Sequence, residues 1–334
     1  MSFGRITVFL ALSTAIAFAS LEVYFRLPWT PRLVAFDYDP ELLYRYSPRQ
    51  SNVAMFLGNY SIQSPRIRIN NRGFRGAEPG SGHPEILVVG SSEVVGPGVR
   101  EDQTITARLQ AQLSKHWAQV RVVNAATGGY GPGHQRIVLQ RELELNHYES
   151  IIVRVADSDA SFVLPAVSEL ESERAAKARR DRIRHVLRSA PFVANRLRAQ
   201  LDSIRAQAAA LQPAPQPRAE ESERRSKVNS STWPTRDWHA MIEMANAAES
   251  DLIFYVPNGE NKPENTVLCE VIEALPGKKS VWEYGMSDFR VSSPDEYRAR
   301  YTLGYDPHGN AERYKTLAQL LVRDIWNQHS SRCG

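Results

Sequence analysis

Hydrophobic positions along the chain change period several times, and each change marks an element. Arg66-Ile67-Arg68-Ile69-Asn70 alternates polar and apolar residues and predicts a short strand; Asn71-Arg72-Gly73-Phe74-Arg75-Gly76 then reads as a turn-rich loop. Residues 85–90 form a short apolar run ending in Gly, the pattern of a strand buried on both faces. Ile105, Leu109 and Leu113 recur at four-residue spacing and predict a helix with one apolar stripe. A second strand over 121–123, a helix over 135–145 and a third strand over 150–155 follow, then further strands over 251–256 and 280–284. The last helix starts near Ala311 and places Tyr314, Leu317, Leu321 and Ile325 on one face. Alternation of this kind specifies an α/β fold with a mainly parallel sheet covered on both sides.

Two stretches stand outside the alternation. Residues 28–82 read as an extended lead-in, rich in Pro, Arg, Asn and Tyr, without a sustained period of either kind. Residues 166–236 read as an insertion in a single α/β domain. Its first part is charged, Ala-rich and helical in pattern; Gln212-Pro213-Ala214-Pro215-Gln216-Pro217 is a polyproline-like linker, and a polar run extends to Ser231. Its apolar positions, Ile183, Leu187, Leu197, Leu201 and Ile204, cover an active-site edge, meet a protein partner, or belong to a solvated hairpin with no special role.

The first 27 residues carry a different signal. Arg5 precedes the apolar run Ile6-Thr7-Val8-Phe9-Leu10-Ala11-Leu12, which continues through Ala19 before Glu22 interrupts a weaker stretch ending near Phe25. One positive charge followed by an apolar stretch is a secretion signature, and Ala17-Phe18-Ala19 offers a small-x-small cleavage site. Read to Phe25, the run of about 20 residues is also long enough to span a bilayer once. A cleaved signal and a retained anchor both fit, and either places the rest of the chain outside the cytosol; the remaining reading is a buried core helix.

Composition narrows the picture further. A hydrophobic share of 42% with 23% charged residues is ordinary for a globular protein, which excludes a polytopic membrane protein and a wholly disordered one. The net charge of +4 points to no nucleic-acid partner, because many of the arginines fall between Arg174 and Arg236 without an aromatic-basic module around them. Cys269 and Cys333 form no C-x-x-C pair and no Cys/His cluster, so neither a structural zinc site nor a redox motif is expected. In an exported chain they either form one disulfide or remain two thiols.

Ligands of open parallel sheets bind beyond the carboxyl ends of the strands. The first strand ends in Gly90-Ser91-Ser92-Glu93, the second in Asn124-Ala125-Ala126-Thr127-Gly128-Gly129-Tyr130-Gly131, and the third in Ala156-Asp157-Ser158-Asp159. Directly before the last helix stands Tyr305-Asp306-Pro307-His308-Gly309-Asn310, with Asn310 placed as its N-cap. His308 is positioned to act as general base on a Ser hydroxyl, and Asp306 to fix the imidazole tautomer.

Taken together, these blocks resemble the SGNH (GDSL-like) hydrolase superfamily, and in particular its bacterial membrane-anchored members. The resemblance rests on Asn70 through Arg75, Gly90-Ser91-Ser92 with Gly96-Pro97-Gly98-Val99, Asn124 through Gly131, Ser158-Asp159 and Asp306 through Asn310. It implies a three-layer α/β/α flavodoxin-like domain over residues 83–330, interrupted by the insertion. It makes Ser92 the nucleophile with its own N–H in the oxyanion hole, Gly129 the second amide donor, His308 the base and Asp306 its partner. Ser158 stands where the family has an Asn whose amide donates the third oxyanion bond; a hydroxyl reaches less far, and losing one such donor costs on the order of 10²–10³ in turnover. Ser91 replaces the usual Asp, and Arg154 replaces a small residue, a position from which it would bind an anionic substrate group.

The implied function is a serine ester hydrolase or O-acyltransferase of the cell envelope, acting on an O-acyl group of a glycan or similar substrate. It would be tethered to the inner membrane facing the periplasm, or secreted there. The alternative is an impaired SGNH-fold scaffold protein of an envelope or polysaccharide complex. No metal and no organic cofactor is expected.

Overall fold

Five runs rich in Val, Ile, Leu, Phe and Tyr form one parallel sheet in the computed structural model, which describes residues 12–20, 23, 32–55, 65–78, 85–156, 234–303 and 308–327. The chain divides into two units. The first comprises residues 1–32, 56–62 and 165–223, and its described part is essentially a helical, exposed stretch at 12–20. No helix among the described residues is long and apolar enough to cross a membrane. Most of the apolar run expected at 1–27, and all but the last residues of the insertion expected at 166–236, lie outside the described residues.

The second unit holds the sheet. Its strands are β6 (Glu85–Val89), β7 (Arg121–Asn124), β8 (Ser150–Arg154), β9 (Asp251–Asn258) and β10 (Ser280–Gly285), ordered β7-β6-β8-β9-β10. Counted along the chain this is 2-1-3-4-5, the flavodoxin-like order, whose topological switch point lies between β6 and β8. Register is set by pairs such as Val88 with Asn124 and Val89 with Val153.

Alternation within each strand divides the core between the two faces. Ile86, Val88, Ile152, Ile253 and Tyr255 pack with α2 (Ile105–Leu113) and α8 (Ala311–Trp326) through Leu109, Leu113, Leu317 and Leu321. Leu87, Val89, Ile151, Val153 and Phe254 pack on the other face with α3 (Pro132–Leu145), α4 (Thr235–Ala247) and α5 (Pro263–Ala274) through Leu139, Trp238, Ile242, Leu268 and Ile272. Three layers result, as the alternation of elements predicts.

The lead-in is more structured than its mixed composition suggests. β2 (Phe36–Asp39) and β3 (Leu43–Tyr46) form an antiparallel hairpin, and β4 (Gln50–Ala54) pairs with β5 (Arg66–Ile69) in a small sheet that also includes β1 (Arg32–Leu33). Directly opposed pairs share a face. Phe36 opposite Tyr46 and Tyr38 opposite Tyr44 therefore give the hairpin one aromatic side.

Cys269, buried on α5, is disulfide-bonded. Cys333, the only other cysteine of the chain, lies outside the described residues.

Candidate active site

The turn after β6 is forced by crowding. A β-carbon on Gly90 would lie 2.4 Å from Val94 Cγ2 and 3.3 Å from Arg154 Cβ, so only Gly lets the chain reverse this tightly. It enters α1 (Ser92–Val95) at once, the Ser91 carbonyl accepting the N–H groups of Val94 and Val95 at 3.0 and 3.2 Å. The far end of this single turn is held by side chains. Arg75 donates from Nη1 to the carbonyls of Val95 (2.8 Å) and Gly96, and from Nη2 to Val99 (2.6 Å), while Asn124 Nδ2 donates to Val94 (2.9 Å).

Arg75 is delivered by a loop that Asn70 shapes. The Asn70 Oδ1 accepts the N–H groups of Arg72 and Phe74, both at 3.0 Å, and its Nδ2 donates to the Ala77 carbonyl. Burial pulls the Arg75 guanidinium down to about 10, which still leaves it charged at neutral pH.

His308 arrives from the opposite end of the chain. Its Nε2 lies 2.8 Å from Ser92 Oγ, and both side chains are half-buried. With the ring proton on Nδ1, the Ser92 hydroxyl donates to Nε2, the arrangement a general base requires. Its backbone is pinned on both sides. The Leu303 N–H donates to the His308 carbonyl (3.1 Å), and Thr302 bridges Gly309. Asn310 caps α8 by accepting the N–H groups of Glu312 and Arg313 at 3.0 Å, as its position predicts, and its Nδ2 also ties the carbonyls of Arg300 and Thr302.

The loop after β7 approaches Ser92 at its glycines. The point a Gly128 β-carbon would occupy is 3.8 Å from Ser92 Cβ and 3.9 Å from Tyr46 Oη. Gly129 has φ +82°, a left-handed conformation in which other residues are strained. Two tyrosines of β3 hold this pair: Tyr44 Oη donates to the Gly128 carbonyl at 2.8 Å, and Tyr46 Oη accepts the Gly128 N–H in a loose 3.5 Å bond. Neither the Ser92 N–H nor the Gly129 N–H has a hydrogen-bond partner among the described residues.

Charged groups support the Ser92 turn. Arg154, at the end of β8 and buried, donates from Nη1 to Ser91 Oγ at 3.3 Å. This gives Ser91 a definite partner in place of the loop support expected of an Asp. Glu93 of α1 pairs with the buried Arg313 of α8 at 3.4 Å. Burial alone would lower the Arg313 pKa, but the Glu93 carboxylate together with Tyr297, Tyr314 and Tyr255 outweighs it and holds the group above its usual value.

Of the residues the sequence singles out, the structure therefore gathers Ser92, His308, Gly128-Gly129 and Arg154 at the carboxyl ends of β6, β7 and β8. Asp306, Ser158 and the rest of 157–159 lie outside the described residues. Sequence reasoning does not find Tyr44, Tyr46, Glu93 and Arg313, whose roles depend on contacts far apart along the chain. Arg75 and Asn70 are visible only as members of a motif. A cavity of about 760 Å³ lies between α2, β7 and the turn at 75–78, sharing Arg75 and Asn124 with the support of α1 but lined by neither Ser92 nor His308.

No family model and no curated protein sequence matches the chain. Solved structures do match. They include the psychrotrophic esterase EstA from Pseudoalteromonas sp. (12% identity, TM-score 0.40, covering 74% of this chain and 100% of that one). Another is a variant of Axe2, an acetyl-xylooligosaccharide esterase from Geobacillus stearothermophilus (11%, 0.42, covering 76% and 98%). A third is a lipase/acylhydrolase from Enterococcus faecalis (11%, 0.41, covering 75% and 99%).

Proposed function

We propose that this protein is a serine-dependent ester hydrolase of the SGNH type, with Ser92 as nucleophile and His308 as general base. The observation that carries the reading is the 2.8 Å contact between His308 Nε2 and Ser92 Oγ at the switch point of a 2-1-3-4-5 sheet. In the first step the Ser92 oxygen bonds to the acyl carbon, its proton passes to Nε2, and the carbonyl electrons move onto oxygen. Collapse of that intermediate expels the alcohol, which takes the proton from His308. Water activated by the same imidazole then releases the acid. A sugar hydroxyl entering in place of water would make the protein an O-acyltransferase.

The substrate we assign is an O-acyl group on a glycan or similar component of the cell envelope. Support for that setting comes from the Arg5-led apolar segment and from the disulfide at Cys269, since disulfides persist in oxidising compartments. The segment at 1–27 would tether the protein to the inner membrane facing the periplasm, or be cleaved on export. The insertion at 166–236 would offer a surface to a protein partner.

Labelling the purified protein with a fluorophosphonate tests the chemistry. The label is expected on wild type, absent in Ser92→Ala and strongly slowed in His308→Ala. A folded wild-type protein that takes no label would instead favour a scaffold built on a disabled hydrolase fold.

A further inference from the structure

We propose that the β2–β3 hairpin completes the oxyanion hole, with the Tyr46 hydroxyl as a direct hydrogen-bond donor to the oxyanion and Tyr44 as the positioning residue for the Gly129 amide. The inference rests on the serine-ester reading above and concerns how the developing negative charge is held.

Three observations converge on it. First, Tyr46 is 1% exposed, yet its oxygen accepts only the loose 3.5 Å bond from Gly128, and its own proton has no acceptor among the described residues. A buried hydroxyl with an unused donor carries a desolvation cost, so such groups ordinarily have partners. Second, Tyr46 Oη and Ser92 Cβ flank the same small space, 3.9 and 3.8 Å from the missing β-carbon of Gly128. A substrate oxygen entering there meets the serine on one side and the phenol on the other. Third, Tyr44 Oη donates to the Gly128 carbonyl at 2.8 Å. In a trans peptide the carbonyl and the following N–H point in opposite directions. Fixing the Gly128 carbonyl toward Tyr44 therefore aims the Gly129 N–H away from the hairpin, and a bonded carbonyl makes that amide a stronger donor.

Burial suits Tyr46 to the task. It pushes the phenol up to about 12, so the group stays protonated and donates throughout the working range of a His base. The step needs no extra reactant: Tyr46 keeps its proton and only hydrogen-bonds to the oxygen that gains the electron pair as Ser92 attacks. The hairpin thus supplies a donor in the role that the resemblance gives to an Asn amide, whose place in the sequence is taken by Ser158, outside the described residues.

The experiment compares Tyr44→Phe, Tyr46→Phe and the exposed control Tyr38→Phe in the full chain. It measures hydrolysis of p-nitrophenyl acetate, the inhibition constant of phenylboronic acid as a tetrahedral mimic, and thermal midpoints. Tyr46→Phe is expected to lower kcat about 10²-fold with little change in KM. Tyr44→Phe is expected to lower it about tenfold, since the donor remains but its aim is loosened. In both, boronate affinity should fall with kcat; a purely structural loss, visible as a lower thermal midpoint, would lower apparent kcat with the active fraction and leave KM and the boronate inhibition constant unchanged. Tyr38→Phe should match wild type. If wild type labels and hydrolyses but both Tyr44→Phe and Tyr46→Phe retain its kcat and boronate affinity, this inference is overturned while the serine-ester reading stands. A wild type that neither labels nor hydrolyses overturns both.

Discussion

Gly128 and Gly129 are adjacent, yet each is glycine for its own reason, and the two reasons can be separated by mutation. Gly128 has ordinary room: a β-carbon there would sit at van der Waals distance from Ser92 and Tyr46. Gly128→Ala is therefore expected to fold with an unchanged thermal midpoint while losing most activity, because the methyl fills the space that the substrate oxygen needs. Gly129→Ala meets two obstacles. Its φ of +82° costs an L-residue about 1–2 kcal/mol, and the new methyl would lie 2.5 Å from Tyr44 Oη. That variant should lose stability and activity together. Retained turnover in Gly128→Ala would mean that substrate approaches Ser92 from another side. At this scale the sequence was informative for candidate residues that stand next to a turn, such as Ser92 and His308. It was silent on Tyr44 and Tyr46, because nothing local distinguishes a tyrosine that reaches a loop 84 or 82 positions away.

At the scale of elements, the helix that carries Ser92 is too short to stand alone. α1 is one turn of four residues, and an isolated helical turn is unfavourable in water. Its carbonyl end is held by Arg75, whose fork satisfies Val95, Gly96 and Val99 at once. Arg75→Met should leave these acceptors without their charged donor, at a cost of about 3 kcal/mol or more, and disorder Ser92 with them. Arg75→Lys should recover little, because a single ammonium cannot reproduce the planar fork. Denaturant unfolding and esterase rate measured together check this; an Arg75→Met protein with wild-type stability would show that α1 is held by other contacts. The same scale explains which elements the sequence disclosed. β6, β8 and β9 are buried on both faces, so they read as continuous apolar runs. β2 and β3 alternate faithfully, Phe36-Asp37-Tyr38 opposite Tyr44-Arg45-Tyr46, but four residues each are too few for a period to stand out. α7 (Pro294–Tyr301) buries only Tyr297 and Tyr301 and has no apolar stripe; Ser293 accepting the Glu296 N–H, with Pro294 at the first helical position, was its available signal.

Across the whole molecule, the parallel sheet and its layering followed from the alternation of elements and the flavodoxin-like arrangement from the resemblance, and the candidate site sits at the switch point of the observed order. Ionisation couples that architecture to pH through two groups beside the site's outer loops. His134, in the first turn of α3, stacks on Tyr130 with ring centroids 4.9 Å apart and accepts the Gly131 N–H on Nδ1 at 3.3 Å. That bond requires a neutral ring, and burial pulls its pKa down from 6.5 to about 4. Between those values the unfolded chain binds more protons than the folded one. Stability from this residue is therefore complete above pH 6.5 and declines as pH falls to 4, by about 3 kcal/mol in all. Asp39 acts in a lower window. Burial would raise its carboxyl, but Arg141 and the N–H groups of Leu42 and Glu41 outweigh burial and hold it at about 2, against an ordinary 3.8. Its contribution is present above 3.8 and lost only as pH drops toward 2. Thermal midpoints should accordingly fall in two stages on acidification. His134→Phe keeps an aromatic ring against Tyr130 and removes the titration, so it should flatten the stage between pH 6.5 and 4 and leave the lower one intact. Superimposable profiles for the variant and wild type would show that the upper stage, if present, arises elsewhere.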